Sequence, residues 1–475
     1  MKCSNCNEEL KEGSKFCSNC GQKVERVCLE CGNFIKDTDK FCSNCGTKVN
    51  ESMSNKNSEY NDLYTEGKKY YEGNGVEQDY DKAFELFSKG AKQGNLDCQT
   101  ALGEMYSEGK GVEQDYEKAI ELFSKAAKQG NLDAEVGLGF MYYQGKGVEQ
   151  DYYKAIELFS KAARQGNDGG LFGLAGCYSE GKGVEQDYDK AFKIFLKLAE
   201  QGKDEICKRE AQYLIGYYFF IGLVVKQDYT KAFEWFSKSA EQGSDNSQLF
   251  LGEMYYNGNG IEKNYNKAFE LFSKAMKQGN ISAQFNLGCM YYQGKGVEQD
   301  YEKAIELFSK AAKQGNDASQ ATLGNIYYEK GNYNEAFKYF SKAAKQGNEK
   351  GEAGLGTMYC LGQWVEQDYD KAFKFLSRSA KKGNSDAQLG LGFMYYQGNG
   401  VEQDYEKAFE WFSKSAKQGN ENAKSILNKL YSTNQEYYEQ EQEYGEKQES
   451  EKHSIGETML HVAHIGIHIL KHIVG

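Results

Sequence analysis

The sequence predicts an all-α chain: a solenoid of stacked helix pairs preceded by a small cysteine-rich module. Three observations carry that expectation. First, one phrase, represented by LGEMYSEGKGVEQDYEKAIELFSKAAKQGN, is written ten times between residues 60 and 431. Its anchor tyrosines are Tyr80, Tyr116, Tyr152, Tyr188, Tyr229, Tyr265, Tyr301, Tyr333, Tyr369 and Tyr405, spaced by 36 residues except for one gap of 41 and one of 32. A fixed period in this range marks units that bury their apolar faces against one another. Second, each unit holds two apolar stripes at helical spacing. Third, proline is absent where ordinary usage is about 5%, so the 53 glycines must end the helices.

The helix pair reads clearly in one unit. Ala134, Leu138, Met141 and Tyr142 recur at helical spacing in the first stretch. Ala155, Ile156, Leu158, Phe159, Ala162 and Ala163 do so in the second, with Lys154, Glu157 and Lys161 on the opposite face. Short connections make such amphipathic helices antiparallel neighbours. Asp151 precedes the second helix, where its carboxylate would accept orphan backbone N–H groups. Asp79, Asp115, Asp187, Asp228, Asn264, Asp300, Asn332, Asp368 and Asp404 fill the same slot. Gly166 and its equivalents, Gly202 among them, suit a left-handed helix end, and Asn131 and its counterparts cap the next helix. Within the first helices a glycine recurs, for example at Gly139, with Ala175 as the one substitute. A mid-helix glycine costs about 1 kcal/mol against alanine. The repetition therefore implies close approach of the partner helix, expected at Ala155.

These residues resemble the Sel1-like repeat family, relatives of the tetratricopeptide repeat with a longer loop between the paired helices. The shared pattern is A-x3-LG-x2-Y-x2-G-x-GV-x2-D-x2-KA-x4-S-KAA-x2-G across residues 60–431. The loop proline common in the family is glutamate here (Glu113, Glu149, Glu185). The unit around YYEKGNYNEAF lacks four loop residues, and the unit after Gly202 gains five, which reads as an extended first helix. The resemblance implies a right-handed α-solenoid that scaffolds protein complexes. A variable slot near the end of each first helix holds Tyr71, Tyr143, Tyr256, Tyr292, Tyr328 and Tyr396. One reading makes these the lining of a groove for peptides, since tyrosine offers contact area at low entropic cost. The other has them cover the edge of the next repeat.

Eight of the thirteen cysteines fall within residues 1–49 as four C-x2-C pairs. Cys3, Cys6, Cys17 and Cys20 form one set; Cys28, Cys31, Cys42 and Cys45 repeat it with the same spacing. Four thiolates satisfy tetrahedral zinc at about 2.3 Å with no open position. So short a unit needs a metal to fold. The duplicated KFCSNCG resembles the double zinc ribbon family, implying two structural Zn2+ ions and a docking module. Eight basic against seven acidic residues over positions 1–50 give no basic stripe. With a net charge of -12 overall, that argues against nucleic acid as a partner.

Residues 50–59 read as a flexible linker and 432–455 as a Glu/Gln-rich solvated segment. Between them, ENAKSILNKLY reads as a terminal capping helix. Residues 456–475 change character. His461, His464, His468 and His472 would form one stripe on a helix flanked by isoleucines. Docking on a membrane or partner, chelation of a transition metal and a short membrane anchor are the competing readings. Docking is favoured, with peripheral membrane contact as one form of it. The repeats contain no histidine, which removes Ser-His and Cys-His chemistry from them. Ser107-x2-Lys110, Ser179-x2-Lys182 and Ser244-Asp245-Asn246 are variants of the repeat, not an acylation motif. No phosphate-cradling motif accompanies them. No secretory signal opens the chain, and thiols in C-x2-C pairs suit a reducing compartment. The sequence thus predicts a cytoplasmic, non-enzymatic adaptor for proteins or peptides. The alternative is a metal- or pH-responsive regulator that senses through the histidine stripe.

Overall fold

The computed structural model describes residues 26–27, 34–35 and 53–430, with side chains over 63–430. Ten first helices alternate with ten second helices. The first helices are α1 (Met53–Glu72), α3 (Leu96–Glu108), α5 (Leu132–Gln144), α7 (Asp168–Glu180), α9 (Glu205–Ile221), α11 (Asp245–Asn257), α13 (Ile281–Gln293), α15 (Asp317–Glu329), α17 (Glu349–Leu361) and α19 (Ser385–Gln397). The second helices are α2 (Tyr80–Lys92), α4 (Tyr116–Lys128), α6 (Tyr152–Arg164), α8 (Tyr188–Gln201), α10 (Tyr229–Glu241), α12 (Tyr265–Lys277), α14 (Tyr301–Lys313), α16 (Tyr333–Lys345), α18 (Tyr369–Lys381) and α20 (Tyr405–Lys417). Helical backbone resumes at 421–430. A two-residue strand β1 (Arg26–Val27) pairs antiparallel with β2 (Phe34–Ile35).

Contacts divide the chain into two units, the boundary in sequence falling between Ala211 and Gln212. In the first unit, α1 through α8 pack each on the next, and α3 touches α5 as α5 touches α7. In the second, α10 through α20 do the same, with α17 against both α15 and α19. This is the solenoid of helix pairs that the period implies, built from neighbour contacts without a central core.

The caps are as expected. Asp79, Asp115 and Asp151 each accept from the backbone N–H three residues on, and the other second helices follow suit. Gly166 adopts φ +80. Gly202, expected to match it, has φ −56 instead. Here α8 runs one residue longer and the N–H of Gly202 bonds Leu198 O, so the chain leaves extended toward the inserted residues. The insertion lengthens α9 to 17 residues against the usual 13. Helix α1 begins at Met53, inside the stretch read as a linker. No glycine or proline lies between Met53 and Glu66, so nothing stops helix propagating back from the repeat.

The recurrent glycine faces an aromatic ring, not the expected alanine. A Cβ at Gly139 would lie 2.6 Å from Cε1 of Phe159, whose side chain is wholly buried. The same holds for Gly67 with Phe87, Gly103 with Phe123, Gly252 with Phe272, Gly288 with Phe308 and Gly392 with Phe412. Gly356 meets Leu376 in the one repeat without the ring. A second glycine often closes the other side: Gly173 against Phe159, Gly137 against Phe123, Gly354 against Phe340. The phenyl group of a second helix is thus wedged between its own first helix and the next one.

Polar ladders run beside the wedges. Asn131 donates to Asp97 at 2.9 Å and Asn167 to Asp133 at 2.7 Å, joining consecutive first helices. Gln278 donates to Gln248, Gln346 to Gln320 and Gln418 to Gln388, joining second helices to first ones. Glu352, fully buried, stands where these glutamines stand and is held by Arg378 and Lys382. At 421–430, Ala423, Ile426 and Leu430 are buried while Glu421, Lys424, Ser425 and Asn428 face water, so the apolar side is turned inward. The zinc ligands named above and the histidine stripe lie outside the described residues.

The wedge makes a discriminating test. Gly139→Ala should lower stability by about 1–3 kcal/mol, because its methyl collides with Phe159. Gly176→Ala, also mid-helix but with nothing within 4 Å of the added methyl, should raise it by up to about 1 kcal/mol. Urea titrations followed by far-UV circular dichroism read both; equal effects of the same sign would contradict the wedge.

Candidate interaction surfaces

The six tyrosines of the variable slot do not stand in an open row. Each meets the anchor tyrosine of its own second helix. Centroids lie 5.4 Å apart for Tyr71–Tyr80 and Tyr143–Tyr152, and 5.3 Å for Tyr256–Tyr265 and Tyr328–Tyr333. They are 5.1 Å apart for Tyr292–Tyr301 and 5.7 Å for Tyr396–Tyr405. Tyr328 and Tyr396 are buried and the other four half-buried. Tyr71 Oη donates to Glu108 of the next repeat at 2.8 Å and accepts from Lys110 at 3.3 Å. Tyr256 donates to Gln293 at 2.6 Å and accepts from Lys295 at 3.2 Å. Lys182 lies 5.1 Å over the Tyr143 ring. Covering the next repeat is therefore the geometry these side chains have. Lost hydration pushes the phenols of Tyr143 and Tyr328 up to about 12.

The residues that echo acylation chemistry serve the same junctions. Lys110 and Lys182 pair with Glu108 and Glu180 at 2.8 and 2.6 Å. Ser107 donates to the Glu104 carbonyl, and Ser244 caps α11. Cys98, Cys177 and Cys360 are buried, and burial pushes Cys177, Cys289 and Cys360 up to about 11. Thiols so shifted are poor nucleophiles. Among the described residues no group of His, Cys, Asp or Glu is placed to hold a metal. No described helix is long and apolar enough to cross a membrane.

Charge is segregated between the two kinds of helix. Within the first unit, α3, α5 and α7 carry Asp97, Glu104, Glu108, Asp133, Glu135, Asp168 and Glu180 and no basic residue. The second helices are lysine-rich at their C-terminal turns. Glu104 still meets solvent, yet lost hydration pushes it up to about 7. Glu108 and Asp133 add to the rise, while Lys68 and Lys110 oppose it. Two clefts lie on the loops: one of about 680 Å³ among Tyr70, Glu77, Asp79, Tyr80 and Gly111, another of about 450 Å³ beside Tyr142, Glu149 and Asp151. Neither is an enclosed chamber.

With the repeat geometry in view, the family pattern of the Sel1 repeat matches residues 67–95, 96–131, 132–167, 170–203, 209–244, 245–280, 281–316, 318–348, 350–384 and 385–420. The chain is a Sel1-repeat protein. The double zinc ribbon pattern matches residues 3–46 of this Sel1-repeat chain. Among solved structures, c5321, a protective antigen of uropathogenic Escherichia coli with an SLR fold, is 32% identical over 89% of this chain and 86% of that one, with a TM-score of 0.55. A Sel1 repeat protein from Oxalobacter formigenes is 31% identical over 54% of this chain and 99% of that one, with a TM-score of 0.45. No curated protein matches the chain.

Glu104 gives the array a pH dependence. Its folded value lies above the ordinary 4.5. Its contribution to stability is therefore whole below about pH 4.5 and lost as pH rises through about 7, because the unfolded chain has then released a proton that the folded chain must also give up. Glu104→Gln should flatten the fall in melting temperature between about pH 5 and 8. An unaltered pH profile would contradict that assignment.

Proposed function

We propose that this Sel1-repeat protein is a non-enzymatic scaffold that holds other proteins or peptides along its solenoid, with the zinc ribbons as a docking module. The observation that carries this reading is the use made of the chemically capable side chains. Lysines close repeat junctions, aspartates cap helices, and three of the five repeat thiols are buried, while second helices and a loop present aromatic groups such as Tyr153 and Trp364, and first helices acidic ones such as Glu108, to solvent. A family of stacked repeats serving as a binding surface supports the same conclusion. The reading places the protein in the cytoplasm, where C-x2-C thiols stay reduced.

The eight cysteines, Cys3, Cys6, Cys17, Cys20 and Cys28, Cys31, Cys42, Cys45, suit two Zn2+ ions, four thiolates each. Such ions would supply folding energy to the ribbons and no chemistry. Emission spectrometry of the purified chain should find two zinc atoms, falling to one in Cys28→Ser/Cys31→Ser; metal content unaffected by that change would refute the assignment. Chelation should leave the helical melting transition of the repeats in place.

In-cell cross-linking tests the scaffold directly. Intact chain and chains lacking residues 1–49 or 456–475 should capture the same partners through the solenoid, with those held by a deleted end lost. Cross-links confined to the ends, with none on the repeats, would overturn the reading.

A further inference from the structure

One repeat junction in the second unit is incomplete. At six other junctions a loop glycine of one repeat lies against the anchor tyrosine of the repeat before it. A Cβ on Gly111 would lie 3.0 Å from Cβ of Tyr80, one on Gly147 2.7 Å from that of Tyr116, and one on Gly296 2.9 Å from that of Tyr265. The repeat made by α15 and α16 has only residues 330–332 between its helices, so it has no such loop. Tyr301, the anchor tyrosine before it, is accordingly the one exposed member of the ten, at 53%.

The complete junctions show what is missing. At Tyr71, Tyr80 and Glu108, the ammonium of Lys110 sits over both rings, 5.2 and 5.6 Å from their centroids, and pairs with the glutamate at 2.8 Å. At Tyr256 and Tyr265, Lys295 sits 5.0 and 5.6 Å over the rings. Lys182 does the same over Tyr143 and Tyr152 beside Glu180. Tyr292, Tyr301 and Glu329 reproduce three of these four members. The rings are edge-on at 5.1 Å, and Glu329 holds the same place in its helix as Glu108; lost hydration raises the Tyr292 phenol, with the Glu329 charge adding to the rise. Among the described residues no lysine lies over the pair, and Glu329 has no cation. Lys330, next in the chain, is exposed and makes no ion pair.

The loop of the next repeat is also unusual. In the following loop Trp364 takes the position that glycine takes at Gly111, Gly147, Gly296 and Gly400, with φ +65, and is 61% exposed. A bulky side chain in the left-handed region is strained, and such strain gathers at functional sites. Gln363 beside it donates to Tyr333 Oη at 3.4 Å, which ties this loop to the short repeat.

We propose that the Tyr292–Tyr301–Glu329 notch binds a lysine side chain of another protein, presented on a glycine-flanked turn that takes the place of the missing loop. The chemistry is the cation–π and ion-pair set that the chain already uses internally, so both the charge and the shape of the occupant follow from the neighbouring repeats. The inference rests on the scaffold reading only in taking the occupant to be a protein. Its failure would leave that reading, tested by cross-links on the repeats, intact.

The test uses the full chain and an end-blocked peptide of residues 107–114, SEGKGVEQ, with a second peptide carrying norleucine in place of the lysine. Peptide NMR should show the lysine ε-methylene protons shifted upfield. The norleucine peptide should bind roughly 2- to 30-fold more weakly, as expected for one cation–π contact. Tyr301→Ser and Glu329→Gln, both at exposed positions and checked for unchanged circular dichroism, should each weaken the lysine peptide by a comparable factor. Replacing residues 330–332 by the sequence of residues 109–115 should abolish binding. Equal binding of the two peptides, no binding at millimolar concentration, or binding indifferent to Tyr301 and Glu329 would overturn the proposal. Self-association that vanishes in the loop-restored chain would overturn the foreign partner and make a second copy the occupant.

Discussion

A phenyl ring held between glycines is the contact on which the repeats depend. Phe159 has no exposed surface and is touched by Gly139 of its own repeat and Gly173 of the next. Removing a side chain from each facing helix lets the ring enter. Burying it stabilises by about 1.5–3 kcal/mol, more than the roughly 1 kcal/mol that a helical glycine costs. Because the ring touches two successive first helices, the same contact both folds a pair and joins it to the next. That explains how a chain can grow by repetition without a central core.

Around this apolar wedge the polar side chains hold register. The Asn–Asp and Gln–Gln ladders satisfy groups that the stacking would otherwise bury unpaired, and an unpaired group costs about 1–3 kcal/mol. Glu352 shows the rule by its exception: a buried carboxylate occurs where Arg378 and Lys382 arrive to neutralise it. The same economy accounts for the tyrosines. At Tyr71, Tyr143 and Tyr256 a ring at the end of the first helix, its anchor tyrosine and a loop lysine close the junction from the solvent side, and little of the phenol remains for a ligand. Where a loop is shortened, the set is left open, and this is the only place among the ten anchors where a ring faces water.

Much of this was legible in the sequence because a period converts weak local signals into strong ones. Asp151 as a cap, Gly166 as a stop and the lengthened α9 follow from residue chemistry repeated ten times. What was not legible is which of two stripe residues enters a notch. Ala155 and Phe159 lie one turn apart on the same face, and only the helix crossing decides for the ring. Gly202 departs from its equivalents because an insertion follows it, a non-repeated context that the period cannot report. The sequence leaves Tyr71 and its counterparts open between groove and cover, because the partners that decide, Glu108 and Lys110, lie a whole repeat away. The start of α1 escaped because polar residues such as Asn55 and Asn57 mask a stretch with nothing in it to break a helix.

The proposed scaffold role rests on that division of labour: side chains at complete junctions cohere, and those left outside them are free for other molecules. Hydrogen exchange measured by mass spectrometry on the full chain, comparing it with Phe159→Ala, tests the local nature of the cohesion most directly. The expected result is faster exchange in α5, α6 and α7, with α12 through α20 as protected as before. Exchange raised throughout the chain, or raised nowhere, would contradict the claim that each ring secures its own junction.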